Sequence, residues 1–159
     1  MKIKNLFWLG LTLAALSASA QVVIDPDWKE TEAPAPPTFN KNKLISLDMP
    51  NYVTLKFGVD PATLIITPDS IVRYVVVAAN ATGASSAMYE GIRCATWQVK
   101  TYARYSANGQ WLTVRDPQWE GLNDNRPSKH ALMLAKKGIC DSGSTTANSV
   151  EDIVKALKN

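Results

Sequence analysis

The chain has 159 residues, 46% of them apolar and 19% charged, with a net charge of +3. That is enough apolar material for one core and too little basic excess for a broad field that would grip nucleic acid. Two cysteines and one histidine exclude a four-ligand zinc site of Cys and His.

The start reads as an export leader. Lys2 and Lys4 supply the positive end, Leu6 to Leu16 the apolar segment, and Ala18-Ser19-Ala20 the small-residue cleavage site. A retained anchor is the rival, but the apolar segment is short for a membrane span. Removing residues 1–20 would leave 139 residues with a charge of +1, because Lys2 and Lys4 depart. No cysteine follows the site for lipidation, and no later stretch predicts a transmembrane segment.

Residues 21–42 are expected to form an extended arm, since Pro34, Pro36 and Pro37 fix φ and remove backbone donors. The arm reads either as a spacer or as an unpacked N-terminal segment. Trp28 is the exception, an aromatic that needs a surface, on this domain or on a partner. Residues 43–159 form the expected single domain.

Short strands are predicted over Lys43–Leu47, Tyr52–Val59 and Leu64–Thr67, followed by a turn at Pro68-Asp69-Ser70. Ile71–Ala79 is apolar on both faces apart from Arg73, so it reads as a central strand covered on both sides. A turn over Asn80–Gly83 returns the chain through Tyr89–Cys94, where Gly91 predicts a bulge or a close backbone approach. Trp97–Tyr105 and Trp111–Arg115 flank Asn108-Gly109, the pair favoured in a two-residue type I′ turn. That turn would set Tyr105 opposite Leu112. Tyr102, Arg104 and Trp111 would then share a solvent face with cation–π pairing.

A helix is predicted from Lys129 to Lys137, capped by Ser128 and stopped at Gly138. A last helix after Asn148 or Ser149 carries Val150, Ile153, Val154 and Leu157 on one stripe. The order predicts an α+β fold: an antiparallel β-meander sheet with two C-terminal helices packed on it. In an exported chain Cys94 and Cys140 read as one disulfide, and free thiols are the alternative.

The candidate binding residues fall in three groups. Arg73, Glu90 and Arg93 are charges in strands that read as buried. They read either as a converging ligand site or as a structural ion pair, Arg73 with Glu90 across the hairpin. His130, near Arg126, lacks a placeable nucleophile and acid for a catalytic triad and reads as a local packing or hydrogen-bonding residue. Tyr102, Arg104 and Trp111 form a platform for a carbohydrate, a peptide or an acidic polymer, or an ordinary sheet face. Asn80-Ala81-Thr82 matches a glycosylation sequon in a turn. No catalytic set, metal cluster or phosphate loop is assembled, so no cofactor is predicted.

Several blocks, in chain order, resemble the cryptic-neisserial-protein-like (CNP-like) domain of bacterial envelope proteins. They are Asp27-Trp28-Lys29-Glu30, Phe57 to Asp60, Val72-Arg73-Tyr74, Tyr89 to Cys94, Trp119, Asn125-Arg126 with His130, and Cys140. Ser70 departs from the pattern, where Asp-Gly is expected. The resemblance implies a periplasmic, Gram-negative setting and no particular activity. The expected function is therefore a non-enzymatic envelope protein that binds a ligand or an envelope partner. The alternatives are a small hydrolase or lyase using Glu90 as acid or base, and a purely structural accessory.

Overall fold

The computed structural model describes residues 25–124, 128–141 and 144–159. Its centre is a long hairpin, because two nine-residue runs can pair along their whole length. In chain order the strands around it are β1 (Ile45–Ser46), β2 (Lys56–Val59), β3 (Ile65–Ile66), β4 (Ile71–Ala79), β5 (Ser85–Arg93), β6 (Gln98–Tyr105), β7 (Trp111–Thr113) and β8 (Glu120–Gly121). β4 and β5 pair antiparallel from Ile71 opposite Arg93 to Ala79 opposite Ser85. The sheet runs β1-β2-β4-β5-β6-β7, and both outer edges are broken. β2 and β3 share one side of β4, and β7 and β8 share one side of β6.

β4 is buried from Ile71 to Ala78, as its two-faced apolar sequence predicts. Val72, Tyr74, Val76 and Ala78 join one core cluster with Ile92, Val99 and the helices. Val75 and Val77 join a second with Tyr89, Tyr102 and Ala103, on the opposite face.

The helical cover is α1 (His130–Leu134), continuing through a wider π turn over Ala135–Ile139, and α2 (Val150–Lys158). Ile153 and Leu157 bury the α2 stripe, and the Ser149 hydroxyl caps it by accepting the Asp152 N–H. α1 is shorter than predicted and has no side-chain cap, its N-terminal flank being Lys129 rather than Ser128. Gly138 marks the turn out of this segment, and a Cβ there would lie 2.6 Å from the Cβ of Ala156. Bare backbone lets the two helical segments touch at that point. A small hairpin, β9 (Cys140–Asp141) with β10 (Thr145–Thr146), follows α1. The Cys94–Cys140 disulfide, with Cα atoms 5.5 Å apart, ties the end of β5 to this helical layer.

Three hairpin loops share one geometry. In each of Thr67–Ile71, Asn80–Ala84 and Ser106–Gln110, the first N–H donates to the fifth carbonyl and the fourth N–H to the first carbonyl. The fourth residue has positive φ: Ser70 at 63°, Gly83 at 87° and Gly109 at 79°. This is a type I turn closed by a left-handed residue. It corrects the register predicted from Asn108-Gly109, because the loop holds three residues, not two. Tyr105 faces Trp111, and Arg104 faces Leu112. A one-residue slip exchanges the faces of a strand, so the predicted platform of Tyr102, Arg104 and Trp111 does not form.

Candidate functional site

The polar residues singled out in the sequence divide between the two faces. On the helical side Glu90 is 1% exposed. Its Oε2 lies 2.7 Å from Nε2 of His130 and accepts the Tyr74 hydroxyl at 3.1 Å, while its Oε1 accepts the Thr101 hydroxyl at 3.1 Å. Burial alone would raise the Glu90 carboxyl, but the His130 charge and these three hydrogen bonds outweigh it and hold it below its ordinary value. The His130 ring stacks on Phe57, with centroids 4.8 Å apart, and its Nδ1 is buried with no hydrogen-bond partner among the described residues.

Arg73 lies on the other face, so the predicted Arg73–Glu90 pair is wrong. Residues across an antiparallel pair share a face when directly opposite or offset by two, and Glu90 is offset by one from Gly91, the residue opposite Arg73. Its partner is Asp69, at 3.1 Å, in the loop that turns into the same strand. Asp69 also accepts the Thr31 N–H and hydroxyl, at 2.9 and 2.8 Å, and the Thr67 hydroxyl, which in turn accepts from Arg73. Burial raises the Asp69 carboxyl, and the Arg73, Thr67 and Thr31 donors overcome it, leaving it well below the usual carboxylate range.

Thr31 belongs to the proline-containing arm, which is neither an unpacked tail nor a free spacer. Glu30 carries the second anchor, accepting from Lys100 at 2.7 Å, Tyr102 at 2.8 Å and Trp119 at 3.1 Å. The Trp28 indole donates to the Asp69 carbonyl at 2.9 Å and meets Trp119 edge-on. Further along, Asn40 N–H donates to the Asp60 carboxylate at 2.7 Å, and Phe39 packs on Tyr105 and Trp111. Prolines specify an extended chain without saying where it lies; these polar and aromatic anchors decide that.

The strand irregularity places Tyr102 under the arm. Tyr89 faces Ala103 while Glu90 faces Thr101, so Tyr102 is an extra residue in β6. Tyr102 and Ala103 thus point to the same face. The predicted bulge exists one step from Gly91 and on the partner strand. Gly91 is there for space, since a Cβ would come within 2.9 Å of the Tyr102 ring. Burial and Glu30 together raise the Tyr102 phenol, which stays protonated.

Of the remaining candidates, Trp111 donates to the Pro37 carbonyl and is covered by Phe39, whereas Arg104 is exposed beside Met88. Arg126 and the leader lie outside the described residues. Asn80 is exposed, and its side-chain carbonyl accepts the Thr82 and Ala84 N–H groups, which builds the turn.

Arg93 stands apart. Its guanidinium lies 3.4 Å from the centre of the Trp28 ring. It lines a groove of about 390 Å³ with Asp25, Trp28, Ser70, Ser144 and Thr145. A second groove, about 500 Å³ and largely apolar, runs over Tyr52, Val53, Leu55, Phe57 and Met88. Glu90 and His130 line neither. Among the described residues no cluster of three or more His, Cys, Asp or Glu could hold a metal, and no helix is long and apolar enough to cross a membrane.

A family model described as the CNP1-like family matches residues 23–158, from the arm to the last helix. The chain belongs to the CNP1-like family. No curated protein and no solved structure matches it. The match begins ahead of Trp28 and Glu30, so this CNP1-like region includes the arm as well as the sheet and helices. Glu30, Asp69, Lys100 and Trp119, which fix that arm, were not among the candidate binding residues read from sequence. Trp28 and the resemblance blocks Asp27–Glu30 and Trp119 were the signals toward them.

Proposed function

We propose that this CNP1-like chain is an exported protein of the Gram-negative periplasm, matured by cleavage after Ala20, that binds a ligand or an envelope partner without catalysing a reaction. The observation that carries the non-enzymatic part is the fate of the charged strand residues. Glu90 is closed off among His130, Tyr74 and Thr101, and Arg73 among Asp69, Thr67 and Thr31. An acid or base must reach the proton it moves, and Glu90 lines neither described groove over its face or the opposite one. The disulfide supports an oxidising compartment.

Cell fractionation with N-terminal sequencing tests the compartment: the mature protein should be periplasmic and begin at Gln21. Cytoplasmic protein with thiols reactive in the folded state would refute it. The hydrolase or lyase alternative rests on the 2.7 Å Glu90–His130 contact. Should Glu90→Gln abolish a turnover while the protein stays folded and equally stable, that alternative replaces the present one.

A further inference from the structure

Most cationic groups of the arm-covered face are spent on internal carboxylates. Arg73 pairs with Asp69, and Lys100 with Glu30. The Arg93 side chain makes no ion pair and no hydrogen bond among the described residues. Its Nε is buried and unpartnered. A guanidinium carries five N–H donors in one plane, and buried donors of this kind are normally satisfied. Trp28 covers one flat face and holds the plane in place. The donors that remain lie at the edge, on a groove that hydroxyl-bearing Ser70, Ser144 and Thr145 also line. Such a groove, near 390 Å³, falls in the range of small-ligand sites.

We propose that this groove binds the carboxylate of a small monoanionic ligand, with the edge of Arg93 as the principal donor. A planar carboxylate matches a guanidinium edge in a two-bonded fork. Asp25 on the groove wall adds a negative charge that acts on Arg93, and Asp69, paired with Arg73, also lines the groove; these acidic residues disfavour a dianionic phosphate. The stacked Trp28 plane makes lysine a poor substitute, since an ammonium can neither stack nor fork. This assignment rests on the reading of the protein as a binder, and gives that reading a site.

The test is a nuclear magnetic resonance titration of the mature, disulfide-intact protein with N-acetylalanine, acetate and inorganic phosphate, following the Arg93 Nε–H and the Trp28 indole. N-acetylalanine should give a saturable shift. Arg93→Gln should weaken it at least about tenfold, equivalent to 1.4 kcal/mol, and Arg93→Lys should not restore it. Thr145→Val, in the groove wall and away from the Trp28 stack, should weaken binding in a protein of unchanged melting temperature. That variant decides the matter if Arg93→Gln fails to fold. Asp25→Asn should improve phosphate relative to N-acetylalanine. No saturable shift, equal binding by both Arg93→Gln and Thr145→Val, or tighter binding of phosphate than of carboxylates by the unaltered protein would overturn the assignment. A flat titration removes this site alone, since compartment and absence of turnover are read from fractionation and from Glu90→Gln.

Discussion

One face of the sheet is covered by helices and joined to them covalently, while the other is covered by an extended arm held through charges and rings. The helical side follows ordinary patterning: an apolar stripe on α2, a disulfide, and one internal polar pair. The arm has no stripe. It approaches the sheet as backbone whose side chains at Trp28, Glu30, Thr31 and Phe39 find a few discrete anchors, with Asp69 meeting both Trp28 and Thr31. An amphipathic helix is positioned by its whole surface, so any single contact matters modestly. An arm positioned by a few anchors concentrates its stability in them.

The disulfide is the largest single tie on the helical side. Cys94→Ala with Cys140→Ala should cost about 4 kcal/mol in urea unfolding, from the loop-closure entropy of a 46-residue separation. The arm should stay docked in whatever remains folded. Arg73→Leu should cost about 3 kcal/mol by leaving Asp69 buried without its cation. Unlike the cysteine pair, it should expose the arm, read as faster proteolysis between residues 25 and 44. Glu90→Gln should cost about 2 kcal/mol in thermal unfolding and leave proteolysis of the arm unchanged. Equal release of the arm by both variants would show that the two covers are not independent.

Acid sharpens the same contrast. Glu30, Asp69 and Glu90 all have carboxyls held below their ordinary values. A depressed folded-state pKa gives stability that is present above the unfolded value and lost as pH falls through the folded one. Stability should therefore hold at neutral pH and decline below about pH 4. Two of the three groups anchor the arm, so arm proteolysis should rise before the helical signal in circular dichroism is lost. Asp69→Asn should flatten the acid limb. The smallest effect belongs to Ser70→Gly, which should stabilise by about 0.5 kcal/mol, because Ser70 alone among the three left-handed loop positions is not glycine.

Those three loops also show what was legible. The turn at Pro68-Asp69-Ser70 and the strands it joins follow from local chemistry, as do the two-faced burial of Ile71–Ala79 and the Cys94–Cys140 bridge. Ser70 adopts the conformation that the expected glycine would have taken. The Ser106–Gln110 register was not legible, because Asn-Gly suits both a two-residue and a three-residue loop. The Tyr105–Trp111 pair with Phe39 belongs to the observed one, and Phe39 is far away in sequence. The partners of Glu90 and Arg73 were lost for a related reason. His130 lies 40 residues from Glu90, and Thr31 lies 42 from Arg73. Alternation assigns a side chain to a face, but not the distant group that meets it there.

The broken margins of the sheet carry a consequence for the chain in a crowded compartment. The strands along them have two to four residues each and change course before a foreign β-ribbon could zip along them. A molecule whose central strands are rich in valine and other β-formers is thereby shielded from stacking into fibrils with its own kind.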